Sequence, residues 1–364
     1  MAREAERWMA ERSDGRFFAW LHFYDPHTPY APPEPFRSRH AADPYAGEIA
    51  YCDSVTGSLL DFLRKRGWYD DSLVIVVADH GEDLGDHGEN THGLFLYDAT
   101  LRVPLLVKLP QGRYAGKAVV EQVRTIDIMP TVLELAGAAA SLAAAGRSVV
   151  PLMAGAPARA PDEAYAESFY PYFHFGWSPL LALRTGKYKY IDAPAPELYD
   201  LEADPGESKS IAAENRALAR QLRDRLHAAY KLPARPGAPK REAVDASTAE
   251  RLKSLGYVTA SSRGTRTPVD AKLPNPKEKL QVYVLLQQAL LDSQNGRPQR
   301  AIEKLRSVLE VDPGMVDARI HLGLLYKRAG DYASAVEQFK VAIQRDESNV
   351  TATYNLAHAY ASWG

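Results

Sequence analysis

The chain has 364 residues, 46% of them hydrophobic, and its 44 basic and 46 acidic side chains are mixed along its length to a formal charge of −2. That length predicts two or three globular domains, and the lack of a long basic stripe excludes nucleic acid as a partner that net charge would attract. Cys52 is the only cysteine, which rules out an internal disulfide, a multi-cysteine zinc site and an iron–sulfur cluster; no apolar run is long enough to span a membrane, and the charged opening MAREAERWMAERSDG lacks a signal-peptide core.

Residues 17–24 (FFAWLHFY) and 73–78 (LVIVVA) are short aromatic or β-branched runs bounded by charge, and are predicted as buried strands. His22 alternates with Trp20 and Tyr24 along the first, which predicts a hydrogen-bonded core histidine. Between the runs, apolar residues at 49, 52, 55, 59, 60 and 63 have helical spacing that ends at Gly67. Strand, helix, strand is the outline of an α/β layer. Further strands are predicted at 103–108 and 119–123, then a helix over 127–137 with Pro130 in its first turn. Residues 151–231 form a smaller predicted α+β unit, with strands at 164–167, 180–184 and 188–191, a turn at DLEADPGE, and a helix over 212–230. Residues 232–276 turn to Pro, Gly, Ser, Thr and charge and read as a linker.

Over 277–364 residues recur in kind at a spacing of 34: Gly296, Gly330 and Gly364, Ala301 and Ala335, Leu305 and Phe339, Ala318 and Ala352, Leu322 and Leu356, Tyr326 and Tyr360. This all-α, helix–turn–helix segment resembles the tetratricopeptide repeat. Gly364 falls where the second helix of a third repeat would begin, so the last helix is expected to leave an apolar face uncovered.

The chemistry gathers earlier. His22, His27, His40, His80, His87 and His92 bring six of the ten histidines into residues 22–92. Asp79 and His80 directly follow LVIVVA, and ligands of α/β proteins collect beyond the carboxyl ends of strands. There Asp79 offers a divalent cation an oxygen donor and His80 a nitrogen donor, although an isolated Asp-His-Gly also suits a solvated turn. In YDPHTPYAPPEPF, prolines at 26, 29, 32, 33 and 35 predict a stiff loop. It would hold His27 still enough to bind an anionic ester oxygen or protonate a leaving group; the alternative is a proline-rich surface loop with an incidental histidine. His87 reads as site-shaping or structural, and Glu82, Asp83, Asp86 and Glu89 as helix-start and loop charges. Cys52 lies on the apolar face of a predicted helix and reads as a buried structural thiol.

Taken in order, FFAWLHFYDPHTPYAPP, VIVVADHGEDLGDHGENTHGLFLYDATLRVPLLVKLP and ELYDLEADPGE resemble the sulfatase family of the alkaline-phosphatase superfamily over about residues 15–230. The resemblance implies an alkaline-phosphatase-like α/β sheet with flanking helices in residues 1–150, followed by the family's small α+β subdomain. It implies metal-dependent hydrolysis of sulfuric esters, with Asp79 and His80 as metal ligands and His27 and His92 as catalytic, substrate-binding groups. Calcium is the commonest metal of the family, and an imidazole ligand also suits Mn²⁺ or Zn²⁺, with Mg²⁺ a further alternative. Phosphate or phosphonate esters present a similar tetrahedral anion and are the alternative substrates. Sulfatases also use two adjacent aspartates from a first strand and a formylglycine made within Cys/Ser-x-Pro-x-Arg; neither motif is found here. The expectation is therefore a fragment lacking its nucleophile and the N-terminal part of the sheet, with weak metal binding and no turnover, from a periplasmic or extracellular bacterial parent. A different class of reading is a non-catalytic module whose repeats bind a protein or peptide.

Overall fold

The computed structural model describes residues 1–12, 15–138, 145–157, 163–230, 272–347 and 349–363. They form two compact units, one of Met1–Ala78 with Pro104–Ala118 and one of Asp79–Val103 with Val119–Gly364.

In the first unit, α1 spans Ala2–Ala10 and α2 spans Pro44–Lys65. The start of α2 is fixed by Asp43, whose carboxylate accepts the Ala46 N–H at 3.0 Å, and by Pro44, whose missing N–H costs nothing in a first turn. Its end is marked by Gly67 at φ +70°, as the periodicity predicts. Strands β1 (Val74–Val77) and β2 (Leu105–Lys108) pair antiparallel, Val74 opposite Lys108 and Val77 opposite Leu105. Lys108 fastens this ribbon by donating to the carbonyls of Asp70 and Ser72 at 2.9 and 3.0 Å.

The strand expected over 17–24 does not form, and the core histidine expected there is overturned: His22 is exposed and Trp20 is 83% exposed. Alternation selects which side chains could be buried, but a strand exists only where a neighbour completes its ladder. Among the described residues none pairs with 17–24. The strand expected at 119–123 is absent for the same reason.

In the second unit, α3 spans Asp98–Leu101 and α4 spans Ile128–Leu135 with Pro130 in its first turn. Four antiparallel strands follow in sequence order, β3 (Ala164–Ser168), β4 (Leu180–Arg184), β5 (Tyr188–Asp192) and β6 (Glu197–Asp200). The last was not predicted, since ELYD is short and half acidic. Helix α5 (Arg216–Tyr230) sets Leu222 and Leu226 against Leu181, Leu183, Tyr190 and Leu198 on one face of the sheet. The linker expected at 232–276 falls largely on residues 231–271, outside the described residues.

The repeats supply α6 (Leu280–Gln294), α7 (Pro298–Val311), α8 (Val316–Arg328), α9 (Tyr332–Arg345) and α10 (Val350–Trp363). Their small residues allow close helix approach: a Cβ on Gly323 would lie 2.7 Å from Phe339 Cε1. Ala301, Ala318, Ala335 and Ala352 are fully buried, whereas Tyr354 and Trp363 of α10 are exposed, as the repeat register predicts. Leu180, Ala182, Ile191 and Tyr199, on the second face of the sheet, share one core with Phe95, Trp177, Val282, Tyr283 and Leu286. The α+β sheet and the first repeat are therefore buried together.

Candidate metal and anion site

Asp79 and His80 open an irregular segment in which Gly81 donates to the Thr100 carbonyl at 2.8 Å. Only glycine fits here, because a Cβ at position 81 would lie 2.1 Å from the Ala99 carbonyl oxygen. The next ring is oriented by the same turn: His80 Nδ1 lies 2.9 Å from the Gly81 carbonyl. A carbonyl only accepts, so Nδ1 carries the proton and Nε2 of the neutral ring keeps its lone pair. Nε2 is 3.8 Å from Asp79 Oδ1. With metal–oxygen and metal–nitrogen bonds of about 2.0–2.5 Å, both atoms can reach one divalent cation. Backbone hydrogen bonding of the other imidazole nitrogen is also what orients metal-binding histidines generally.

The His92 ring stacks on His80, centroids 3.8 Å apart at 29°, and its Nδ1 is 3.1 Å from Glu82 Oε1. Burial alone would pull His92 down, but the Glu82 contact, aided by the charges of Glu89 and Asp79, outweighs it and lifts His92 above the ordinary histidine value. Side-chain exposure falls from 61% at Asp79 and 39% at His80 to 23% at His92, so the donor pair faces solvent and the His92 ring is set back. Among the described residues no three or more His, Cys, Asp or Glu side chains are grouped to hold a metal. Asp79 and His80 could supply two donors, and a bound metal would need others.

The acidic residues that the sequence casts as helix-start and loop charges take a different place. No helix forms over 80–91, and Asp83 and Glu89 are fully buried. Glu89 accepts the N–H groups of Leu94 and Phe95 at 2.8 and 3.0 Å, and burial still pushes its carboxyl up to about 7. Asp83 accepts the His87 N–H at 2.9 Å and lies 3.3 Å from His87 Nδ1. The His87 ring stacks on Tyr97 at 3.7 Å, with Nε2 3.2 Å from the Gly206 carbonyl. His87 therefore clamps the loop to the DPGE turn, the structural alternative read for it.

The buried charge beside this loop is what sequence reasoning missed. Lys189 is fully buried between Asp98 Oδ1 at 2.5 Å and Glu207 Oε1 at 2.8 Å. Arg184 forks onto Asp98 at 3.0 and 2.9 Å, and the Asp98 N–H donates to Glu207 Oε2. Burial would raise Asp98, but Arg184 and Lys189 outweigh it and hold the carboxyl below the usual range. The one available signal was Glu207, the acid that ends DPGE.

His27 lies in the other compact unit. Its Nδ1 is 2.6 Å from the Thr28 carbonyl and 2.8 Å from the Tyr24 hydroxyl, and its ring stacks on Tyr24 at 4.4 Å. Buried Glu48 of α2 accepts the N–H groups of His27 and Ala31 at 3.0 and 2.6 Å, so a carboxylate assists the prolines in fixing the loop. Cys52 is partly buried, which raises its thiol pKa and disfavours the nucleophilic thiolate.

Solved structures share this fold. A phosphonate monoester hydrolase of Agrobacterium radiobacter aligns with a TM-score of 0.55 at 24% identity, covering 63% of this chain and 59% of that one. Ps i-CgsB in complex with k-i-k-neocarrahexaose aligns at 0.54 and 20%, covering 70% and 58%. The class is thus that of the alkaline-phosphatase-like α/β folds. Residues 1–138 match the Sulfatase family model, residues 85–231 the model of the N-sulphoglucosamine sulphohydrolase C-terminal region, and residues 286–350 and 322–362 a tetratricopeptide repeat model. The N-terminal part of the chain thus carries sulfatase-family domains, and tetratricopeptide repeats follow them.

Three curated relatives give the scale of the match. A multifunctional alkaline phosphatase superfamily protein of Trinickia caryophylli is 35% identical over 50% of this chain and 38% of its own length. Choline-sulfatase of Rhizobium meliloti is 35% identical over 50% and 34%, and arylsulfatase K of Rattus norvegicus 30% over 52% and 35%. The chain spans between a third and two-fifths of the length of these relatives.

Proposed function

We propose that residues 1–231 are part of a metal-dependent hydrolase of sulfuric esters, in which Asp79 and His80 donate to a divalent cation, Ca²⁺ first among the candidates, and His92 contacts the ester anion. The observation that carries this reading is the Asp79–His80 pair, with its nitrogen lone pair fixed by the Gly81 carbonyl and the His92 ring stacked against it. A bound cation would neutralise ester charge and polarise the bond to be cleaved. The chain's own residues do the rest. His92, which the Glu82 contact biases toward its charged form, would bind an anionic oxygen.

Two neighbours in the superfamily, the Trinickia protein and the Agrobacterium phosphonate hydrolase, support phosphate or phosphonate esters as the second reading. Because no Cys/Ser-x-Pro-x-Arg is present, the informative test on this chain is binding rather than turnover. Calorimetric titration with Ca²⁺ and Mn²⁺, then with inorganic sulfate and phosphate, should show metal binding that Asp79→Ala abolishes and anion binding that His92→Ala weakens. Equal metal affinity in the Asp79→Ala chain would remove the metal assignment, and tighter phosphate than sulfate binding would favour the second reading. The repeat match supports a role in protein interaction, and the inner faces of the first two repeats limit where a partner could sit.

A further inference from the structure

Tyr283 of α6 and Asp317 of α8 are 34 residues apart and so occupy the same position in successive repeats. Both are engaged by the chain's own sulfatase region. Asp317 Oδ2 is 2.7 Å from His174 Nδ1, and Asp312, the residue after α7, accepts the Trp177 indole N–H at 2.9 Å. Tyr283 is buried against Tyr170 and Phe175 and shares one core with Leu94 and Phe95 of the site loop, with Leu280 packed against it. Thr91 is the residue before His92 and closes the loop by accepting the Asp83 N–H at 2.9 Å. One turn earlier on the repeat side, Leu280 covers Gly88, where φ is +85° and a Cβ would lie 2.5 Å from Leu280 Cδ2. Lys277, just before α6, pairs with Glu197 of β6.

We propose that the first repeat helix is a positioning element of the candidate site: Tyr283 and Leu280 hold the loop of residues 83–95 from behind and fix where His92 stands. The repeat face that would otherwise receive a peptide is, in its first two repeats, occupied by this chain's own loop and aromatic turn. What His92 binds rests on the function proposed above; the placement of its loop does not. Tyr283 and Leu280 are positioning residues, acting through the core of Leu94 and Phe95 and through Gly88.

Amide hydrogen exchange of the full chain tests this. Leu280→Ala removes the side chain over Gly88, and Tyr283→Leu removes the ring packed into the core of Leu94 and Phe95. Each should speed exchange of the Leu94 and Phe95 amides about fivefold or more. Phe339→Leu, which loosens the second repeat away from the loop, should leave those amides unchanged. Wild-type exchange at those amides in both variants, or equal acceleration by Phe339→Leu, would each overturn the proposal. Titration with inorganic sulfate separates the two readings: no sulfate binding by the unaltered chain refutes the anion role of His92, and the exchange result still decides the positioning role.

Discussion

The two sheets of this protein use similar residues and meet different fates. Strands β1 and β2, VIVV and LLVK, are as apolar as LLALR of β4, yet Val76 and Val77 are exposed and Leu106 is 61% exposed, while Leu181 and Leu183 are fully buried. The four-stranded sheet has α5 on one face and repeat helices on the other; the ribbon has no comparable cover among the described residues. Strand propensity is much the same in both, so tertiary cover decides which strands contribute to stability.

This contrast can be broken from its strongest point down. Lys189→Met leaves Glu207 buried without its cation and Asp98 with Arg184 alone, and should cost about 3–5 kcal/mol in the unit that holds it, read by exchange of the β4 amides; a loss below about 1 kcal/mol would mean the network is hydrated. Leu183→Ala should cost about 2–5 kcal/mol by the same measurement, through lost burial and the cavity left behind. Glu89→Gln should cost about 1–3 kcal/mol, because one of two backbone donors loses its acceptor.

Glu89 also gives a pH test with a definite sign. Its folded carboxyl, raised to about 7 from an ordinary 4.5, holds a proton that the unfolded chain has already released, so stability should fall as pH rises from about 4.5 to 7 and level off above. Urea titrations across that range should lose this slope in Glu89→Gln; an unchanged slope would assign it to another group. Smallest of all, Leu106→Thr in the exposed ribbon should change stability by no more than about 0.5 kcal/mol. A larger loss would show that the ribbon is covered in solution.

Much of the candidate site was legible because its parts are local in sequence. Asp79 and His80 adjoin a strand end, His92 follows in the same loop, and the structure stacks His92 on His80. The supports were not legible. Glu48 pins the His27 loop from 21 residues away, Glu207 and Lys189 meet Asp98 across more than 80, and Tyr283 joins the core of Leu94 and Phe95 from the repeats. Buried carboxylates such as Glu89 read as surface charge, because composition does not say which acid will find two backbone donors.

By itself the sequence determined the repeat register, the helix that ends at Gly67, the strands of the α+β unit save the short β6, and the sulfatase motifs. Those depend on periodicity, turn residues and spacing, which are properties of neighbours along the chain. Only the tertiary structure decided that FFAWLHFY is not a strand, that His22 is exposed, that His87 is a clamp, and that the first repeat and the β-sheet share one core. A ladder partner, a covering face and a buried counter-charge come from residues distant in sequence, and only folding brings them within contact distance.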